Sequence, residues 1–225
     1  MFCPVCSQIM PRNQAKICDN CRMDLLRLRS GSVIYLSEFR VYVGFRYQST
    51  VRAMVLRAKV KNEVPAVAAL ISSLKDLLGD ELTRFDEPCC LVIPAPSSFW
   101  SRLTGRFDIA RLVAGALFPK AAKLEGQLPG AFWRQKRAGR NAVSATSVGL
   151  RAPRAVHKFL KKMMNWQGEF KEYIDIQRKI SSASRILVID DVLTTGLTMG
   201  TLFHQLKTLG AHRIEGLVLA AADQG

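Results

Sequence analysis

Apolar and polar positions recur at recognisable periods along most of the chain. Val33 to Tyr47 alternates, with β-branched and aromatic residues at Val33, Tyr35, Phe39, Val41, Val43 and Phe45 among others, and predicts a hairpin or two short strands. Ser49 to Ala58 places Val51, Met54, Val55 and Ala58 on one helical face, with Arg52, Arg57 and Lys59 off it. Asn62 to Leu78 predicts a second amphipathic helix closing at Gly79. Cys90 to Ile93 predicts a short apolar strand running into Pro94-Ala95-Pro96-Ser97-Ser98, a turn stiffened by two prolines. Ser101 to Leu117 predicts a helix with Arg102 and Arg106 near its start, and Ala155 to Met164 a basic helix. Phe170 to Ile176 and Arg213 to Ala221 predict further strands. Leu128 to Val156 has no clean period; its glycines and prolines predict a long loop flanked by short strands, of the kind that serves as a lid or binding loop. Strands interspersed with helices make this an α/β chain.

One stretch adds chemistry to the pattern. Ile186 to Ile189 is an apolar, β-branched run of the kind found in buried parallel strands. Asp190 and Asp191 follow, where such a strand is expected to end. Then come Val192, Leu193 and the turn Thr194-Thr195-Gly196-Leu197-Thr198, and from Met199 to Leu209 the spacing of Leu202, Phe203, Leu206 and Leu209 is helical. A helix start leaves backbone N–H groups unpaired and carries partial positive charge, so a phosphate fits there. Gly196 lets the backbone approach it closely, and Thr194, Thr195 and Thr198 add hydroxyl donors. The ionised acids are acceptors suited to the two hydroxyls of a ribose, or to Mg²⁺ through water. An ordinary strand-to-helix connection with Thr198 as cap calls for neither two acids nor three threonines. The stretch therefore reads as a corner for a nucleotide or sugar phosphate.

The N-terminus carries Cys3-x-x-Cys6 and, after eleven intervening residues, Cys18-x-x-Cys21. Two such pairs are the spacing of a four-thiolate Zn²⁺ site, and with four protein ligands the site is structural. Pro4, Pro11, Asn13 and Asn20 are turn formers, so metal binding supplies most of the folding energy of this module. Asp24 to Arg29 predicts a short basic helix leaving it, ended by Ser30-Gly31-Ser32. Cys89 and Cys90, at a strand start, are expected in the core.

Composition sets the remaining bounds. At 225 residues, with 48% hydrophobic content, the chain fits one medium domain with a small appendage. No run is long enough to span a membrane, and Met1-Phe2-Cys3-Pro4 has no basic-then-apolar signal, so a cytoplasmic protein with reduced cysteines is expected. The net charge of +15 points to a polyanionic partner. From Arg134 to Lys179 twelve Lys/Arg face three acids, a surplus of +9 in that segment alone. Trp133 among Arg134, Lys136, Arg137 and Arg140 interleaves an aromatic ring with cations, as single-strand nucleic-acid surfaces do.

The stretch from Ile186 to Thr198 closely resembles the phosphoribosyl pyrophosphate (PRPP) signature of type I phosphoribosyltransferases. The resemblance implies a phosphoribosyltransferase-like, mostly parallel sheet flanked by helices. It assigns Asp190 and Asp191 to the ribose hydroxyls, with Mg²⁺ alongside the PRPP, and Thr194, Thr195, Gly196, Leu197 and Thr198 to the phosphate. Asp191, nearer the turn, is the acid that would assist the leaving or attacking group. Leu197 stands where the family usually has a small residue.

With the double Cys-x-x-Cys knuckle, the Pro-x-Pro-Ser turn, Gly105-Arg106-Phe107-Asp108 and the basic linker, nearly the whole chain is similar to the ComF family. That family consists of phosphoribosyltransferase-like proteins associated with natural competence and DNA uptake. The resemblance implies a zinc-binding module over residues 1–30 and a phosphoribosyltransferase-like domain over 31–225. It also implies single-stranded DNA or another nucleic acid as partner, alongside a possible competence helicase. Two other functions stay open: an active transferase moving ribose phosphate to an acceptor with no DNA role, and a zinc-ribbon nucleic-acid-binding or regulatory protein with a non-catalytic PRPP pocket. Of the family's middle pattern, Ser147, Arg151 and Phe159 remain, with Arg154 in the place of an Asn.

Overall fold

The computed structural model describes residues 2–3, 5–10, 17–95, 108–124 and 167–222, with the backbone alone over 167–174. In chain order its elements are α1 (Asp19–Arg27), β1 (Arg29–Leu36), β2 (Phe39–Arg46), α2 (Ser49–Lys61), α3 (Val64–Leu82), β3 (Cys90–Pro94), α4 (Ile109–Leu117), β4 (Ala122–Lys123), α5 (Gln167–Ser182), β5 (Arg185–Leu193), α6 (Leu197–Thr208) and β6 (Ile214–Ala221). The strands form one six-stranded sheet in the order β1-β2-β6-β5-β3-β4. β1 is antiparallel to β2, and every other neighbouring pair is parallel.

Alternation along the central strands divides the core into two layers. Leu187 and Ile189 of β5 join Val92 of β3 and Leu217 of β6 in a cluster with α1, α2, α3 and α4. Ile186 and Val188 join Leu91, Ile93 and Val218 in a second cluster with α5 and α6. Both faces of β5 are thereby covered, which is why Ile186 to Ile189 is apolar without a break. The layers come close where glycine allows it: a Cβ on Gly216 would lie 2.8 Å from Met199 Sδ and 2.9 Å from Phe203 Cζ, so α6 rests directly on β6.

The hairpin forms as expected, with Ser37 at its turn in the left-handed region, φ 57°. Tyr42 and Phe45 are buried and Tyr35 is exposed. Four expectations need correction. Phe170 to Ile176, expected as a strand, lies in helix α5; Ile176 and Ile180, four apart, are both buried, and this helical period outweighs the local β-branched content. The helix leaving the cysteine module starts earlier, at Asp19, and takes Cys21 into its first turn. Its supposed terminator, Ser30-Gly31-Ser32, lies inside β1, where the ladder shifts register between Arg29 and Ser32 and Gly31 has φ 56°. Cys90 is buried, but Cys89 is exposed.

Two helix ends also differ. α3 passes through Gly79, where nothing crowds the backbone, to bury Leu82. α6 begins at Leu197 rather than Met199. Of the expected Ser101–Leu117 helix, Ile109–Leu117 forms α4, with the Asp108 side chain accepting from the Arg111 N–H at 3.1 Å; residues 101–107 lie outside the described residues. Pro96 to Ser98, Arg102, Arg106, Leu128 to Val156, Trp133 with its neighbouring cations and Ala155 to Met164 lie outside the described residues.

Gly44, in the middle of β2, has no room for a side chain: a Cβ there would lie 2.5 Å from Leu74 Cδ1 and 2.8 Å from the Leu219 carbonyl oxygen. Gly44→Ala is expected to lower stability by about 1–3 kcal/mol in urea unfolding, because a backbone oxygen cannot step aside. An unchanged midpoint would show that this layer packs differently.

Candidate functional site

The sheet order places a switch point between β3 and β5. After β3 the chain crosses through α4 to β4 on one side; after β5 it crosses through α6 to β6 on the other. The two crossings lie on opposite faces, since α4 packs in one core layer and α6 in the other. Successive strands thus run from β3 and from β5 toward opposite edges of the sheet, and the carboxyl ends of strands at such a point are where open α/β sheets take their ligands. Ala95, just after β3, donates its N–H to the Ile189 carbonyl at 2.6 Å, so β3 and β5 remain joined up to this edge.

Asp190 and Asp191 stand at that edge, but inside β5 rather than after it. The strand runs to Leu193 because β6 continues to pair with it, Asp190 opposite Val218 and Leu193 opposite Ala221. Neighbouring strand residues face opposite ways, so the two carboxylates project toward different layers. Both are half-buried. Asp190 Oδ1 accepts from the Asp191 N–H at 2.8 Å, which fixes its orientation. Asp191 turns toward the α2 layer, where its Oδ2 is 2.7 Å from Lys59 Nζ.

Thr194, Thr195 and Gly196 form the bend between β5 and α6, with both threonines exposed. Gly196 is the residue before the first helical turn and has φ 70°, a left-handed conformation that suits glycine. A Cβ there would also approach Leu36 Cδ2 to 3.0 Å, so the position needs glycine for conformation and for space. Thr195 Oγ1 accepts from the Leu197 N–H at 3.4 Å. Leu197 is 52% exposed, so its bulk points away from the protein. Thr198 is half-buried in the first turn, and Thr201 Oγ1 donates to the Leu197 carbonyl at 2.7 Å. Two acids, three threonines and a helix start thus lie within nine consecutive residues at the carboxyl edge of a central strand. The arrangement can accept from hydroxyls on one side and donate to an anion on the other.

Lys59 was not singled out by sequence reasoning, which saw only a cation off the apolar face of a helix. Its role depends on where α2 runs. The helix begins just after β2 and its last turn reaches Asp191 on β5, across the intervening strand β6. Buried Val51, Met54, Val55 and Ala58 hold it to the core. At its start the Asp24 carboxylate of α1 accepts from the Thr50 N–H at 3.2 Å, a cap supplied from another helix. The Thr50 hydroxyl and this N–H, together with the Ser49 hydroxyl, hold the Asp24 carboxyl below its usual value against its partial burial. Near its end Arg57 donates to Ser7 Oγ at 3.0 Å.

Ser7 belongs to the cysteine module. Cys3 N–H donates to the Gln8 carbonyl at 2.8 Å and Ser7 N–H to the Cys3 carbonyl at 2.9 Å, closing a tight knuckle. The other cysteine pair opens α1, with Cys18 just before the helix and Cys21 in its first turn. All four sulfurs, Cys3, Cys6, Cys18 and Cys21, lie within 4.8 Å of one another, and Cys6 and Cys18 are 3.5 Å apart. Zn–S bonds of about 2.3 Å put tetrahedral sulfurs about 3.8 Å apart, so the cluster matches a single Zn²⁺.

The proton balance of the cluster agrees. Burial pushes the Cys21 thiol up, and the neighbouring sulfurs of Cys18 and Cys6 push it further. Cys18 is raised too: the Cys21 N–H favours its thiolate, but burial and the Cys6 sulfur outweigh that. Cys3 moves the other way, to about 6, because the N–H groups of Cys18, Cys6 and Val5 outweigh its burial. The Cys3 thiolate is favoured locally, and a divalent cation would supply the charge needed to hold Cys18 and Cys21 deprotonated.

No known family model matches the chain, and no curated protein matches it. Among the described residues, no helix is long and apolar enough to cross a membrane.

Purified protein is expected to carry about one zinc ion per chain, and Cys18→Ser to lose it. Chelation should lower the melting temperature of the parent protein and leave the variant unmoved. Equal melting temperatures with and without metal would remove the metal site.

Proposed function

We propose that this chain is a PRPP-binding, phosphoribosyltransferase-like protein of the cytoplasm, acting in DNA uptake during natural competence and holding single-stranded DNA on a basic surface. The observation that carries the PRPP reading is the position of Asp190-Asp191 and the Thr194–Thr198 turn at the carboxyl edge of β5, beside the switch between β3 and β5. In this reading the two carboxylates accept from the ribose hydroxyls. The hydroxyls of Thr194, Thr195 and Thr198 and the start of α6 donate to the phosphate. Mg²⁺ accompanies the ligand and supplies positive charge at the pyrophosphate. The four cysteines hold a structural Zn²⁺ that stiffens the N-terminus. The DNA role rests on the similarity to the ComF family and on the net charge of +15. A competence helicase as partner rests on that similarity alone.

The half-buried position of Asp191 keeps a second reading alive, an active transferase. There an acceptor nitrogen would bond to the anomeric carbon as the bond to pyrophosphate breaks, the electron pair leaving with the pyrophosphate. Asp191 would receive or return the proton. Pyrophosphate release with a panel of bases and amines separates enzyme from binder.

Titration of the protein with PRPP and Mg²⁺ is expected to give saturable heat, which Asp190→Ala and Thr195→Ala each abolish. Absence of heat at millimolar PRPP would falsify the reading of the corner. On single-stranded DNA, the binding constant is expected to fall with salt at a log–log slope of about −0.7 per phosphate contacted. A slope near zero would show that the basic surface makes no phosphate contacts.

A further inference from the structure

We propose that Lys59 forms a second anion subsite in the corner, taking a phosphoryl or pyrophosphoryl oxygen distinct from the phosphate held by the Thr194–Gly196 turn. The assignment rests on the reading of the corner as a PRPP site and adds to it a residue and a selectivity. The ligand class it selects is a sugar phosphate bearing a second anionic group, over a sugar with one phosphate alone.

Lys59 and Asp191 meet at 2.7 Å, yet each keeps contact with solvent, the Lys59 side chain at 38% and the Asp191 side chain at 21% exposure. An ordinary surface ion pair of this kind contributes little to stability, about 0–1 kcal/mol, and by itself would not explain a helix laid across the sheet edge to make it. α2 is placed from both ends and from below. Asp24 caps its start, Arg57 ties it to Ser7 of the cysteine module, and Val51, Met54 and Val55 are fully buried beneath it. The backbone of the last turn, and with it the base of the Lys59 side chain, is set before any ligand arrives.

The charge of the corner gives this placement a purpose. Two carboxylates at one corner repel a polyanion, and the turn's neutral donors offset this only near the turn itself. The Lys59 ammonium, 2.7 Å from Asp191 Oδ2, cancels one of those charges on the α2 side of the corner. Its three N–H donors are not used up by one carboxylate oxygen, so the same group can hold Asp191 and donate to a phosphoryl oxygen. A compact, flexible ammonium serves as a point charge for such an oxygen. A purely local reading, in which Lys59 complements the negative end of α2, leaves its ammonium's position on β5 without a reason.

The test compares PRPP and ribose 5-phosphate, each with Mg²⁺, by calorimetric titration of the parent protein, Lys59→Gln, Lys59→Met and Lys59→Arg. Circular dichroism and melting temperature identify variants that fold. Lys59→Gln and Lys59→Met should weaken PRPP by about tenfold or more, as for loss of one charge-assisted contact. Ribose 5-phosphate should move by less than about twofold, and Lys59→Arg should restore most of the PRPP affinity. If folded variants lose both ligands equally, or neither, while the parent binds, Lys59 acts only through Asp191 or not at all and the subsite is overturned. If the parent binds neither ligand, the PRPP reading fails first and the subsite falls with it.

Discussion

A strand paired in parallel on both edges and covered on both faces can hold polar side chains only where it emerges from the core. β5 is such a strand. It lies between β3 and β6, with one helical layer on Leu187 and Ile189 and the other on Ile186 and Val188. Every position up to Ile189 is therefore committed to packing, and the first residues free to be acidic are Asp190 and Asp191, at the carboxyl edge. The same edge is where the sheet's connections diverge to either side of β5. The burial of β5 and the order of its neighbours thus put the corner's polar chemistry at the switch point of the sheet.

The cysteine module has a mechanical part in this arrangement. Its buried residues Cys3, Val5, Met10, Cys18 and Cys21 share a core layer with α2 and α3 instead of forming a separate one. It grips α2 near both ends, through Asp24 and Ser7, and α2 carries Lys59 to Asp191. A metal among the four thiols would fix two short stretches that have little core of their own, and through them the helix that reaches the corner. In this sense the N-terminal cysteines and the acids near the C-terminus belong to one construction.

Much of this was legible from local pattern. The alternation from Val33 to Tyr47 marks the hairpin, the 3.6-residue spacing marks α2 and α3, and Cys-x-x-Cys spacing marks the thiolate cluster. Pattern misled where it was short. Phe170 to Ile176 is rich in residues that favour strands, and only the burial of Ile176 with Ile180 against the sheet reveals a helix. The end of β5 was misplaced by four residues because a strand ends where its partner ends, and β6 pairs as far as Ala221. Gly31 reads as a stop in sequence, but in the sheet it is the irregular point of a strand that continues.

The sequence by itself determined which residues could do chemistry: four thiols at metal-binding spacing, two adjacent acids, and a Thr-Thr-Gly turn before a helix. These are local signals, carried by residues close together along the chain. The tertiary structure alone decided that the acids face different layers, that β5 sits at the point where the connections diverge, and that Lys59 reaches Asp191. Each of these depends on strand order and on the path of a helix across a sheet edge. Such relations are set by packing between segments far apart in the chain, and no local spacing records them.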